Sequence, residues 1–150
     1  MTLVEKAYAI AEKAHKGQKR KLGESDKGKP YIVHPVRVAK SVKSFGPAYE
    51  MVAVLHDVVE DTPYTLKDLE REGFTSEVLD AVNAMTHKLG AEYLDYVLYL
   101  AENQIARVIK MADIRDNLRD LHKGSMRDKY YLALYILATW ETEEADDAEE

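Results

Sequence analysis

Ala48-Tyr49-Glu50-Met51-Val52-Ala53-Val54-Leu55-His56-Asp57-Val58-Val59-Glu60-Asp61 is the stretch that decides how this chain folds. With about 100° of rotation per residue and His56 at the origin, Asp57, Glu60 and Asp61 fall at about 100°, 40° and 140°. Met51, Val52, Val54, Leu55, Val58 and Val59 occupy the arc from about 160° to 320°. The spacing predicts one amphipathic helix from about Ala48 to Asp61, stopped before Thr62-Pro63. Ala53, at about 60°, is the one small residue in the polar arc and leaves room for a close approach. A solvated helix face ordinarily mixes Lys or Arg among its acids, and this one has none. Asp57, Glu60 and Asp61 repel one another unless a cation sits among them.

Working outward, Thr2 and Glu5 form a capping-box pattern that opens a helix running to about His15. Gly17 to Pro30 reads as a loop rich in Gly and Lys. Pro35 suits the first turn of a second helix with Val38 and Val42 on its apolar face, ended by Gly46-Pro47. Thr65 and Thr75 each open a further helix, closed by Gly73 and Gly90. Residues 91–103, 105–121 and 126–142 make the last three. No stretch sustains period-two alternation. The expected fold is all-α, one helical bundle of seven or eight helices.

The chain has 150 residues, 46% apolar and 32% charged, which is ordinary composition for one domain with a real core. The most apolar stretch, Tyr130 to Trp140, is far short of the ~20 residues a membrane span needs. Glu5 and Lys6 interrupt any signal-like apolar run. There is no cysteine, which excludes disulfides and thiolate zinc sites. A cytoplasmic location is expected. The net charge of −6 comes from residues 141–150, which hold seven carboxylates and no base. Without that tail, read as a frayed helix end, the body is close to neutral, so neither nucleic acid nor a membrane is an expected partner. Lys13 to Lys29 stands apart, with seven bases against two acids, either a solvated loop or a receiver of a compact anion.

A cation beside His56 and Asp57 needs more ligands than those two. His34 precedes Pro35 at a helix start, where backbone geometry is constrained. Asp113 ends the apolar turn Val108-Ile109-Lys110-Met111-Ala112 and needs a partner if buried. Lys110 could be that partner, since Lys110, Asp113 and Asn117 share a helix face. His15, His87 and His122 sit among polar neighbours and read as surface residues.

In this order, His34, His56-Asp57 and Asp113 resemble the H…HD…D pattern of the HD metal-dependent phosphohydrolase superfamily. Four segments narrow the resemblance: His15-Lys-Gly-Gln18-Lys-Arg20-Lys21, Pro30-Tyr31-Ile32-Val33-His34-Pro35, His56-Asp57-Val-Val-Glu60-Asp61-Thr62 and Lys110-Met-Ala-Asp113-x-x-x-Asn117-Leu118. Together they resemble the hydrolase domain of RelA/SpoT-type alarmone enzymes over roughly residues 1–140. The resemblance implies removal of the 3′-pyrophosphate from (p)ppGpp, with one Mn²⁺ per chain. It implies His34, His56, Asp57 and Asp113 as metal ligands and Glu60 and Asp61 as the groups that orient and deprotonate water. Arg20 and Lys21 would contact the guanine nucleotide, and Asn117 its ribose region. The expected organisation is a hydrolase domain over 1–142 with an acidic tail over 143–150, similar to stand-alone small alarmone hydrolases.

The chemistry agrees with the spacing. Two imidazoles and two carboxylates with open positions suit Mn, Fe or Zn, and a carboxylate on the next turn can accept a proton from water. The loop from Lys21 to Pro30 is longer than in the long enzymes and bears on the pocket rim. Two other functions compete: hydrolysis of another purine nucleotide phosphorylated at the 2′ or 3′ position, or nucleotide binding by a decayed enzyme. The presence of all six metal and catalytic candidates weighs against decay.

Overall fold

The computed structural model describes residues 1–21, 25–119, 121 and 123–149, those from 141 onward by their backbone alone. Positions 22–24 of the long loop, His122 and the tail's carboxylates lie outside the described residues. Among the described residues the chain is helical with no strand: α1 Leu3–Ala14, α2 Val33–Val42, α3 Pro47–Leu55, α4 Val58–Asp61, α5 Leu66–Arg71, α6 Ser76–Met85, α7 Tyr93–Ala101, α8 Gln104–Leu118 and α9 Ser125–Glu149. A single turn of 3₁₀ helix, Lys43–Phe45, links α2 to α3. No described helix is long and apolar enough to cross a membrane.

The helix starts follow local chemistry. Thr2 and Glu5 exchange the two hydrogen bonds of a capping box at 2.8 and 3.1 Å, and Thr65 and Asp68 repeat it at α5. Asn103 caps α8 by accepting from the Ala106 amide. Gly46, at φ +120°, supplies the left-handed geometry that lets the chain turn into Pro47. Gly90 does not close the helix opened at Thr75. That helix ends at Met85, where the Thr86 hydroxyl donates to the Val82 carbonyl and its backbone turns extended.

α3 is the central post, packed by α1, α2, α6 and α8. Val52, Ala53, Val54 and Leu55 are completely buried. Ala53 is therefore core, and no ligand approaches over it. Glu50 is buried as well and accepts from the Tyr8 hydroxyl of α1 at 3.1 Å.

The expected continuous helix over 48–61 is interrupted at its most important point. α3 ends at Leu55, and a separate turn, α4, starts after Asp57, which sits at φ −102°, ψ −2°. His56 causes the break. Its Nδ1 donates to the Ala53 carbonyl at 2.5 Å, capping α3 with a side chain where the helix would have used a backbone amide. The last helix, α9, carries its backbone on through the acidic segment to Glu149.

Candidate metal and nucleotide site

The kink after Leu55 turns His56 inward, leaving it 2% exposed, and places Asp57 above it. His34 enters from the first turn of α2 and Asp113 from the middle of α8. His34 Nε2 lies 2.7 Å from Asp113 Oδ1. His56 Nε2 lies 3.0 Å from Asp57 Oδ2 and 3.3 Å from Asp113 Oδ1. The two imidazoles meet edge to face, centroids 5.4 Å apart. Donor atoms of His34, His56 and Asp57 all fall within 4.8 Å of one another.

These donors fit a divalent cation. His56 has committed Nδ1–H to Ala53, so Nε2 carries the lone pair, is buried, and has no hydrogen-bond partner. It faces two carboxylate oxygens, which are also acceptors. Ligand atoms about 2.0–2.2 Å from one ion stand about 3 Å apart when they subtend a right angle, which is the spacing seen. Charge balance agrees. Without a cation between these groups the positive charge falls to His56 itself: burial works against the imidazolium, yet Asp57 and Asp113 outweigh it and drive the pKa well above its usual value, and a bound cation takes over that charge. Burial likewise opposes the charge on Asp113, but Lys110 and His56 hold its carboxyl well below the usual range.

Lys110 and the metal reading of Asp113 turn out to be compatible. Lys110 Nζ holds Asp113 Oδ2 at 2.9 Å, leaving Oδ1 for the histidines. The lysine is itself largely buried, with the Tyr96 ring 5.3 Å away.

Above the cluster opens a cleft of about 690 Å³. Of the nine residues expected to form the site, only His56, which lies beneath, is absent from its wall. Glu60 and Asp61 stand exposed on α4, their carboxylate oxygens within 4.8 Å of those of Asp57. Glu60 Oε1 accepts from the His87 amide at 2.5 Å. Partial burial first, then the neighbouring Asp57 charge, raises both pKa values, although the His87 amide opposes the rise at Glu60.

On the opposite wall, Arg20 is buried rather than solvated and donates to Asn117 Oδ1 at 2.6 Å. Lys21 remains exposed on the rim. The loop that carries them is held by backbone pairing, Arg20 N–H to Lys29 at 2.7 Å and Tyr31 N–H to Gln18 at 2.9 Å.

Several site residues escaped the sequence reading. Tyr31 donates to Asp57 through its hydroxyl. His15, expected on the surface, is 2% exposed: Nδ1 meets Gln18 Oε1 at 2.8 Å and the ring packs on Tyr31 at 4.9 Å. Gln18 in turn donates to the Asp61 carbonyl at 2.9 Å. The signal was the three-residue step from His15 to Gln18, which brings both beneath the loop. His87 is half-buried and stacks on Tyr96 at 4.6 Å, so it too is not a free surface residue. Met126 and Tyr130 of α9 complete the cleft.

No protein-family profile matches the chain. It is 40% identical over 134 residues to the bifunctional (p)ppGpp synthase/hydrolase SpoT of Escherichia coli K12, covering 81% of this chain and 18% of that protein. It is 40% identical over 129 residues to a GTP pyrophosphokinase of Streptomyces coelicolor, covering 79% of this chain and 14% of the relative. The chain thus spans less than a fifth of the length of these curated relatives. Among solved structures, a metazoan orthologue of SpoT that hydrolyzes ppGpp superposes with a TM-score of 0.71 at 26% identity, covering 93% of this chain and 85% of that one.

Proposed function

The chain belongs to the RelA/SpoT-type HD hydrolase domains, and from that premise we propose that it hydrolyses the 3′-pyrophosphate of guanosine alarmones, converting (p)ppGpp to GDP or GTP and pyrophosphate. One observation carries this reading. Four buried or half-buried donors from α2, the α3–α4 kink and α8 converge at the foot of a cleft with carboxylates on one side and a buried arginine on the other.

His34, His56, Asp57 and Asp113 are the residues that would hold the metal, for which we favour Mn²⁺. A divalent ion there supplies Lewis acidity and charge neutralisation toward a phosphate oxygen. The remaining work belongs to the chain. Glu60 and Asp61 orient a water in the cleft and take its proton, a task for which raised carboxyl pKa values are suited. Tyr31 holds Asp57 in place through its hydroxyl. Arg20 and Lys21 bind the polyanionic nucleotide, and Asn117 orients Arg20 while facing the ribose side. Water attacks the phosphorus bonded to the 3′-oxygen, the P–O3′ bond breaks, and the departing 3′-oxygen gains a proton. Pyrophosphate leaves intact, because the bridge between its phosphorus atoms is untouched. We assign residues 1–142 to the hydrolase unit and 143–150 to an acidic extension, and place the protein in the cytoplasm.

The test is incubation with Mn²⁺ and ppGpp followed by anion-exchange separation of products. GDP and pyrophosphate in equal amounts are expected. Orthophosphate released stepwise, or no turnover, overturns the assignment.

A further inference from the structure

Behind the metal cluster lies a second set of charges that the proposed reaction does not use. His34 Nδ1 meets Asp116 Oδ2 at 2.6 Å, one turn along α8 from Asp113. Arg37, one turn along α2 from His34, grips the same carboxylate with Nε to Oδ1 at 2.8 Å and Nη2 to Oδ2 at 3.0 Å. The other side of the Arg37 guanidinium pairs with Asp26, inside the long loop. Asp26 is only 3% exposed at its side chain and also receives Arg119 at 3.2 Å and Lys29 at 3.4 Å. A buried carboxylate surrounded by bases from α2, from the residue that ends α8 and from its own loop anchors that loop to the helices.

We propose that Asp116 is a positioning residue that fixes His34 for metal binding and, through Arg37 and Asp26, ties the metal ligand to the loop carrying Arg20. This rests on the reading of the His/Asp cluster as a metal site. A neutral imidazole has one N–H. Asp116, held in place by two Arg37 hydrogen bonds, accepts that N–H at Nδ1 and so directs the Nε2 lone pair toward the cluster. It also locks the ring plane, which sits 1% exposed between α2 and α8. Carboxylate partners of metal-bound histidines commonly contribute 10- to 100-fold in metal affinity. Asp116 also lies 3.7 Å from Arg20 Nη2, so the same carboxylate touches the nucleotide-facing side of the site.

The experiment is Mn²⁺ binding by calorimetry to metal-free wild type, Asp116→Asn, Arg37→Gln and Asp80→Asn, each with its thermal unfolding curve recorded. Asp80→Asn removes the same charge from an exposed position on α6 and is expected to bind as wild type does. Asp116→Asn is expected to bind Mn²⁺ roughly 10- to 100-fold more weakly while its metal-free unfolding midpoint moves by only a few degrees. Arg37→Gln leaves His34 and Asp116 in contact but frees the carboxylate, and should weaken binding by about threefold or more; it serves if Asp116→Asn does not fold. Wild-type affinity in folded Asp116→Asn, or in Arg37→Gln where only that variant folds, overturns the proposal. Absence of Mn²⁺ binding by wild type instead overturns the metal-site reading itself, so the two failures are distinct.

Discussion

Replacing Glu60 by Gln separates the charge of this residue from its position. The Glu60 carboxylate is tethered by the His87 amide at 2.5 Å, and a Gln Oε1 can accept the same hydrogen bond. The side chain keeps its length and anchor, so what is lost is the ability to take a proton. Proton transfer by a positioned group is typically worth about 10²–10⁴-fold, or about 2.7–5.5 kcal/mol of activation free energy. kcat should fall by that factor, and Asp61→Asn should behave alike. The pH dependence gives an independent check. Burial and Asp57 raise the pKa of Glu60, and its carboxyl must be ionised to act. Wild-type kcat/KM should therefore decline as pH falls through a range above that of an ordinary glutamate, and this limb should change in Glu60→Gln. The assay is pyrophosphate release across pH, beside metal analysis of each protein. Full activity in both amide variants, or loss of the metal from either, refutes the division of labour between the carboxylates and the His/Asp cluster.

His56→Ala deletes a buried imidazole that we propose as a metal ligand and should lower the bound metal below one ion per chain, with Asp57→Ala doing the same; full metal content and unchanged turnover in both would remove the assignment. Arg20→Ala should raise KM more than it lowers metal content, and because Arg20 also binds Asn117 and lies 3.8 Å from Asp26, its unfolding midpoint should fall by several degrees; normal substrate binding would return the segment to the status of a simple loop. Truncation after Thr142 should leave kcat largely intact, since an acidic segment repels a polyanion and exposed charges are screened beyond about 8–10 Å at physiological salt; a large loss in a folded truncation would show that the segment shapes the cleft.

What was legible in the sequence and what was not divides along the range of the interactions involved. The helix starts at Thr2 and Thr65 are written in residues three apart, and both capping boxes form. The apolar arc of residues 51–58 is readable because helical rotation alone sorts it, and that arc is the core of the post. The break after Leu55 is a different matter. It depends on the His56 ring outcompeting a backbone amide for the Ala53 carbonyl, which no periodicity encodes. Asp26 was hidden for the opposite reason. Its neighbours in sequence are lysines and glycines of a solvated type, while the partners that bury it, Arg37 and Arg119, arrive from other elements.

The proposed metal ligands were visible singly, but the frame that holds them lies in paired spacings on two helices. His34 and Arg37 are three apart on α2, and Asp113 and Asp116 are three apart on α8. Each step of three returns to nearly the same helix face. When two such faces pack, each base meets an acid, and the outer pair braces the inner one. His34 then touches both aspartates, at 2.7 and 2.6 Å, using its two ring nitrogens for two different tasks. Either helix alone shows an unremarkable polar pair. Only their packing converts one histidine into a joint between the His/Asp cluster and an ion-paired frame, and the Asp26 anchor extends that frame to the loop that bears Arg20. One connected set of charges thus reaches both Arg20, proposed to face the nucleotide, and the His34 ring, proposed to face the metal. A change in the loop anchor should therefore be felt at His34, as well as at the rim.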